Sequence, residues 1–194
     1  MTRPPRSLHV VESLDRYAVA ARLRRLAPRL AESGWPLEIA ALHAFGSSAS
    51  SFTAEGVSTR TLRRRWTIDP LACARLSALL KQGRYRLVHA WGAAAIAHVA
   101  LARTFKDRTP WTISVDRADS RNRMFGLLLR VIGRRIESGL VPDESVSHWC
   151  RDHGVSAGRI TVGPIGATPA PRVSIDRGEF LARLKLAPDA RVIA

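Results

Sequence analysis

Leu87-Val88-His89-Ala90-Trp91-Gly92, running directly into Ala93 to Phe105, decides how this chain folds. The first six residues read as a strand that ends in a turn. The run after them is an alanine-rich helix, small-sided enough to lie close against a sheet. Upstream, Leu8-His9-Val10-Val11 is a short β-prone run. From Tyr17 the apolar positions Ala20, Leu23, Ala27 and Leu30 recur at helical spacing until Gly34-Trp35-Pro36 stops them. Leu37 to Leu42 reads as a second strand, Gly46 to Ser51 as a polar loop, and Val57 to Leu62 as a third strand. Asp69-Pro70 then opens a helix whose apolar set is Leu71, Ala74, Leu76, Leu79 and Leu80, with Gly83 as its stop.

Downstream the alternation continues. Trp111 to Val115 is a strand, and Met124, Leu127, Leu128, Val131 and Ile132 define an amphipathic helix. A strand at Gly139-Leu140-Val141, a helix from Asp143 to His153 and a strand at Ile160-Thr161-Val162 follow. Strands alternating with helices over short connections predict an α/β fold: a doubly wound, Rossmann-like parallel sheet with helices on both faces. Residues 1–165 form this domain. Pro164, Pro169 and Pro171 mark a linker, Asp176 to Leu184 is a short helix, and Ala190 to Ala194 reads as a strand begun without a sheet to join. Residues 166–194 are thus expected to be a linker and the beginning of a second domain.

The 194 residues suffice for a real core without staples. Hydrophobic content of 46% excludes general disorder, and no apolar run approaches the ~18–20 residues of a membrane span. Cys73 and Cys150 cannot make a disulfide framework, and no signal peptide is readable before the short apolar stretch at Leu8. These features set the expectation of a cytoplasmic protein. The charge is the strongest compositional signal, with 31 basic residues against 16 acidic and a net of +15. All the basic residues but Lys81, Lys106 and Lys185 are arginine, the residue suited to bidentate contact with phosphate or carboxylate.

Ligands of doubly wound folds sit at the carboxyl ends of the strands. The first such turn, Glu12 to Tyr17, has no glycine, so it fails both the dinucleotide fingerprint and the P-loop. No Gly-x-Ser-x-Gly elbow is present either. The six histidines show no metal-ligand spacing and read as structural or surface residues; no metal and no cofactor are expected.

The order of several segments carries further information. Leu8 to Leu14, Glu32 to Ile39, Tyr85 to Gly92, Pro110 to Asp116 and Gly154 to Gly166 come in one sequence. In this order the chain resembles the N-terminal, acceptor-side domain of the family 4 retaining glycosyltransferases of the GT-B fold. The resemblance implies two facing Rossmann-like domains, a nucleotide-sugar donor gripped mainly by the other domain, and a sugar or lipid-linked acceptor held by this one. It implies no essential metal, the leaving diphosphate being stabilised by protein cations and backbone amides. Three positions depart from the family pattern. Asp15-Arg16 stands where the family has a glycine pair after the first strand, and Arg16 is placed to contact phosphate. Asp116 stands at the usual histidine position near the reacting sugar, where a carboxylate can accept a hydroxyl's hydrogen bond. Ile165 replaces the linker asparagine.

The candidate site therefore comprises Asp116 as the catalytic position, with Asp15, Arg16, Trp91, Gly92, Arg117, Asp119, Arg121 and Glu144 as substrate-binding positions. Trp91 offers an indole for a sugar face or plugs the sheet end. Asp116, Arg117 and Asp119 share a strand-end loop, where functional groups concentrate. Glu144 and Ser145 also suit capping of the helix after Pro142-Asp143. Arg60, Arg63, Arg64 and Arg65 form the densest basic run. Family members that glycosylate lipids meet anionic membranes through basic, partly apolar surfaces. The helix carrying Arg121, Arg123, Arg130, Arg134 and Arg135 beside Met124, Leu127 and Leu128 suits that role, and its apolar stripe equally suits packing on a sheet. Two other classes stay open: a non-catalytic carbohydrate-binding or scaffolding branch of the fold, and a basic nucleic-acid-binding module. Against the latter, no recognition motif is present and aromatics are only 6%, so no nucleic-acid partner is expected.

Overall fold

Among the described residues, seven short strands, most of them holding aliphatic residues, line up in parallel in the order β3-β2-β1-β4-β5-β6-β7. They are β1 (Ser7–Val11), β2 (Leu37–Ala41), β3 (Ser58–Thr61), β4 (Leu87–Trp91), β5 (Trp111–Ser114), β6 (Ser138–Val141) and β7 (Ile160–Val162). The helices are α1 (Tyr17–Glu32), α2 (Ser48–Ala54), α3 (Pro70–Gly83), α4 (Gly92–Ala102), α5 (Arg123–Ile132), α6 (Glu144–Asp152) and α7 (Arg177–Arg183). This computed structural model describes residues 6–14, 17–43, 48–103, 109–117, 119–163 and 177–183 with Lys185 and Ala187. The strand order reverses between β1 and β4, so right-handed crossovers send α1 and α2 to one face and α3 to α6 to the other. Two separate cores record this. One holds Leu8, Val10, Val88, Ile113, Leu76, Ile96 and Leu129; the other holds Val11, Leu23, Ile39 and Phe52.

The alternation expected from the sequence is therefore the observed architecture. The proline-rich linker at Pro164 to Arg172 and the strand begun at Ala190 lie outside the described residues, whereas the short helix is present as α7.

Several local readings are corrected. Part of the polar stretch Gly46 to Ser51 is the start of α2, because Phe52, fully buried, anchors that serine-rich turn to the sheet. In α3 the buried residues are Ala72, Leu76 and Leu79, while Leu71 and Ala74 are exposed. Asp69 caps that helix, accepting from Leu71 N–H at 2.9 Å and Ala72 N–H at 3.2 Å. Its left-handed C-terminal residue is Arg84 (φ 46°) rather than Gly83. Gly83 is small for another reason: a Cβ there would lie 2.0 Å from the Tyr85 ring.

The largest correction concerns α5. Of its expected apolar set only Ile132 is buried, alongside Phe125, Gly126 and Leu129. Met124, Leu127 and Val131 point outward, at 73%, 55% and 79% exposure. The basic run is also divided. Arg60, itself exposed, bonds the buried Glu38 (2.5 Å) and Arg64 bonds Glu12 (3.2 Å), while Arg63 and Arg65 are exposed.

Candidate functional site

The reversal of strand order opens a crevice at the carboxyl ends of β1 and β4, as expected of doubly wound sheets. A cleft of about 250 Å³ lies there. Glu12 and Ser13 follow β1, Trp91 and Gly92 end β4, and Ser114 to Asp116 end β5. Val19 and Arg22 of α1 form one wall, and Leu140 to Pro142 at the end of β6 form the other.

The floor is set by strand register. β1 and β4 pair in parallel with His9 opposite His89 and Val11 opposite Trp91. Because side chains alternate between faces, His9, His89 and Trp91 all point toward the α1 side. The Trp91 indole N–H donates to His9 Nδ1 at 3.2 Å, and the ring stacks on His89 at 4.4 Å between centroids. His89 Nε2 in turn shares a 2.8 Å hydrogen bond with Ser114 Oγ, which itself lines the cleft. Burial lowers the pKa of His9 to about 4. Burial, reinforced by the neighbouring His9, pushes His89 well below the ordinary imidazole range. Both rings are therefore neutral near pH 7, which lets His9 Nδ1 act as an acceptor.

The rim is built by one carboxylate. Asp119 Oδ1 accepts from Ala93 N–H at 2.9 Å, and its Oδ2 accepts from Asp116 N–H at 3.1 Å. Asp116 Oδ1 returns a bond to Asp119 N–H at 3.0 Å. The loop after β5 is thus fastened to the first turn of α4, where the helix dipole favours negative charge. Gly92 sits at φ +81° beside Asp119, a conformation that favours glycine. The amino end of α4 accordingly already carries an internal anion. Arg22 brings a guanidinium whose Nε is buried without a hydrogen-bond partner. Burial lowers its proton affinity and the Asp116 carboxylate opposes that shift. In a chain of net charge +15, the charged residues lining this cleft among the described residues are three carboxylates, Glu12, Asp116 and Asp119, and one cation, Arg22. An indole, a hydroxyl and carboxylates around a small space suit a neutral, polyhydroxyl ring better than an anion.

The structure gathers Trp91, Gly92, Asp116 and Asp119 into this cleft. Arg117 turns away to Asp143, bonding it at 2.7 Å, and that hydrogen bond leads the causes holding the Asp143 carboxyl below its usual range. Arg121 is exposed on the 3-10 turn Asp119–Arg121 and Glu144 is exposed at the start of α6; neither lines the cleft. Asp143, not Glu144 or Ser145, caps α6, accepting from Val146 N–H at 3.1 Å. Asp15 and Arg16 lie outside the described residues. Sequence reasoning missed Arg22, Ser114 and His9. Arg22 carried no usable signal, as one arginine among many on α1; Ser114 ends a strand and could have been found by the strand-end rule, whereas His9 lies in the middle of β1 and becomes visible only through its register with β4. Among the described residues, no group of three or more His, Cys, Asp or Glu side chains is placed to hold a metal ion, and no helix is long and apolar enough to cross a membrane.

Comparison with known proteins agrees with this fold. The family model described as Glycosyltransferase Family 4 matches residues 19–170. The fold is similar to that of Anabaena Alr3699/HepE in complex with UDP and glucose, with TM-score 0.61, 13% identity, and 92% of this chain aligned to 50% of that one. The same protein in complex with UDP-glucose gives TM-score 0.60, 14% identity, and 92% and 50% coverage. A glycosyltransferase from Rickettsia africae ESF-5 gives TM-score 0.62, 13% identity, and 94% and 50% coverage. The chain thus spans about half the length of these GT-B structures. No curated protein sequence matches it.

Proposed function

We propose, since the chain belongs to Glycosyltransferase Family 4, that it holds the acceptor during sugar transfer from a nucleotide-sugar donor gripped mainly by a second domain. On this reading residues 1–165 are the acceptor domain, and residues 166–194 are a linker and the beginning of the donor domain. The observation that carries the proposal is the cleft at the strand-order reversal, with its indole, Ser114 hydroxyl and Asp116 carboxylate. Among the described residues the cleft lining holds three carboxylates and one cation, which supports the division of labour, because a departing diphosphate needs positive charge or amide donors that the other half of the site would supply. Trp91 and Ser114 hold the acceptor ring, Asp116 accepts a hydrogen bond from an acceptor hydroxyl, and Asp119 fixes the loop that presents Asp116. The similarity of fold to structures carrying UDP and UDP-glucose makes uridine-diphosphate sugars the first donors to try.

The test is transfer from UDP-glucose by a protein that joins this domain to its proposed donor domain, with and without Asp116→Asn. Transfer that falls in the variant while donor binding stays unchanged is expected. No transfer from any nucleotide sugar would overturn the proposal in favour of a non-catalytic carbohydrate-binding role.

A second reading concerns where the protein works. The outward face of α5 displays Met124, Leu127 and Val131 beside the exposed Arg123, Arg130 and Arg134. A basic, apolar face of this kind suits peripheral contact with the anionic cytoplasmic surface of a membrane, and hence a lipid-linked acceptor. Sedimentation with vesicles containing anionic lipid, lost on raising salt, is the expected result.

A further inference from the structure

Parallel strands covered on both faces normally read as near-continuous aliphatic runs. β1 and β4 break that rule at one place. His9 and His89, both buried, face each other across the strand pair, and Trp91 completes a three-ring cluster, stacked between His89 and Trp91 and tilted at His9, whose centroids lie 4.4 to 6.2 Å apart. The arrangement carries an uncompensated cost. With Nδ1 accepting from the indole, the His9 proton sits on Nε2, which is buried without a hydrogen-bond partner. Buried polar atoms are nearly always paired, so an orphan retained in the middle of a sheet calls for a reason. An aliphatic residue at position 9 would pack against the same neighbours without leaving a donor unsatisfied, so packing gives none.

The reason lies at the other end of the network. One face of the Trp91 ring is taken by His89, and its N–H is taken by His9. The indole, which also packs against the core on the α1 side, therefore has one fixed orientation, and its half-buried ring lines the cleft. Ser114, at the next strand, is held by the same network through His89. Both groups that the cleft offers to a ring-shaped molecule are thus set from behind by histidines that never touch it.

Resting on the acceptor-domain reading above, we propose that the His9–His89–Trp91 cluster is a prebuilt platform for a pyranose ring, with His9 as its positioning residue. The platform selects by shape: a flat, weakly polar sugar face stacks on the indole while a ring hydroxyl reaches Ser114. Because the orientation is set before binding, the ligand does not have to order it. His9 is not a catalytic residue; it acts only through Trp91.

The experiment uses the 194-residue chain and two probes, methyl β-glucopyranoside and glycerol as an acyclic control. Tryptophan emission and the Trp91 indole N–H resonance, assigned by its loss in Trp91→Phe, are followed during titration. The glycoside is expected to perturb both saturably and glycerol neither. His9→Leu removes the acceptor, moves the indole resonance and weakens glycoside binding by up to about tenfold, the range of one aromatic contact. His9→Asn, whose amide oxygen can take the place of Nδ1, restores binding to within about twofold. Should His9→Leu fail to fold, Ser114→Ala serves instead, with an expected loss of about fivefold for one hydrogen bond.

Unchanged binding with an unmoved indole resonance in the folded variants overturns the proposal, as does a wild-type chain that binds glycoside no better than glycerol. The acceptor-domain reading fails differently. If the protein with both domains transfers sugar with an unchanged acceptor KM in Trp91→Ala, the platform is wrong and the glycosyltransferase reading survives. If the chain binds glycoside on Trp91 while the protein with both domains transfers nothing, the reverse holds.

Discussion

Toward α3, α4 and α5 the central strands present Leu8, Val10, Val88, Ala90 and Ile113, all fully buried. Toward α1 the same strands present Ser7, His9, His89, Trp91, Thr112 and Ser114. One face is an aliphatic layer covered by α3 to α6; the other carries a smaller apolar core around Val11, Ile39 and Phe52 and, beside it, rings and hydroxyls of which Trp91 and Ser114 reach the cleft. The contrast teaches where each kind of residue is affordable. The aliphatic face supplies stability through close packing, which leaves the opposite face free to hold groups that stability alone would not choose.

That contrast can be broken from either side. Leu129→Ala, on the aliphatic side, is expected to cost about 3 kcal/mol in urea unfolding and to leave glycoside binding unchanged. A similar loss with binding abolished would mean that the two faces are not independent. On the polar side the test is pH. His9 is neutral when folded, with its pKa lowered from 6.5 to about 4, and His89 is shifted in the same direction. Between these values the unfolded chain binds more protons than the folded one, so stability is full above about pH 6.5 and falls as pH drops toward 4. His9 alone contributes a loss of about 3 kcal/mol by pH 4. His9→Asn should flatten the pH 5 to 6.5 portion of the curve, a window above the ordinary carboxylate range; an unchanged slope there contradicts the buried, neutral His9.

Smaller effects sharpen the picture at the rim. Asp119→Ala removes the acceptor for Ala93 N–H and Asp116 N–H and should cost about 1–2 kcal/mol while raising acceptor KM. Smallest of all, Val131→Ser on the outer face of α5 should change stability by less than about 0.5 kcal/mol. The same change should weaken vesicle binding measurably, and equal vesicle binding removes the membrane reading.

Much of this was legible in the sequence. The βα alternation, the caps at Asp69-Pro70 and Gly34, and the strand ends at Trp91 and Asp116 follow from local pattern, and they place the cleft by the switch-point rule. What escaped was whatever depends on a neighbour distant in sequence. α5 has apolar residues on two sides, Phe125, Leu129 and Ile132 on one and Met124, Leu127 and Val131 on the other, so periodicity alone could not say which faced the sheet. Gly126 decides it, since a Cβ there would lie 2.7 Å from the ring of His153, the residue that follows α6. His9 and His89 are eighty residues apart, and only the parallel register of β1 with β4 makes them a pair. α2 escaped because its serines resemble a loop and a single buried Phe52 holds it down.

The most direct measurement is the split between acceptor and donor KM in a protein that joins this domain to its proposed donor domain and carries Trp91→Ala. An acceptor held on this domain predicts an acceptor KM raised by up to about tenfold with the donor KM unchanged. A raised donor KM, or no change in either, would contradict the assignment of this cleft to the acceptor.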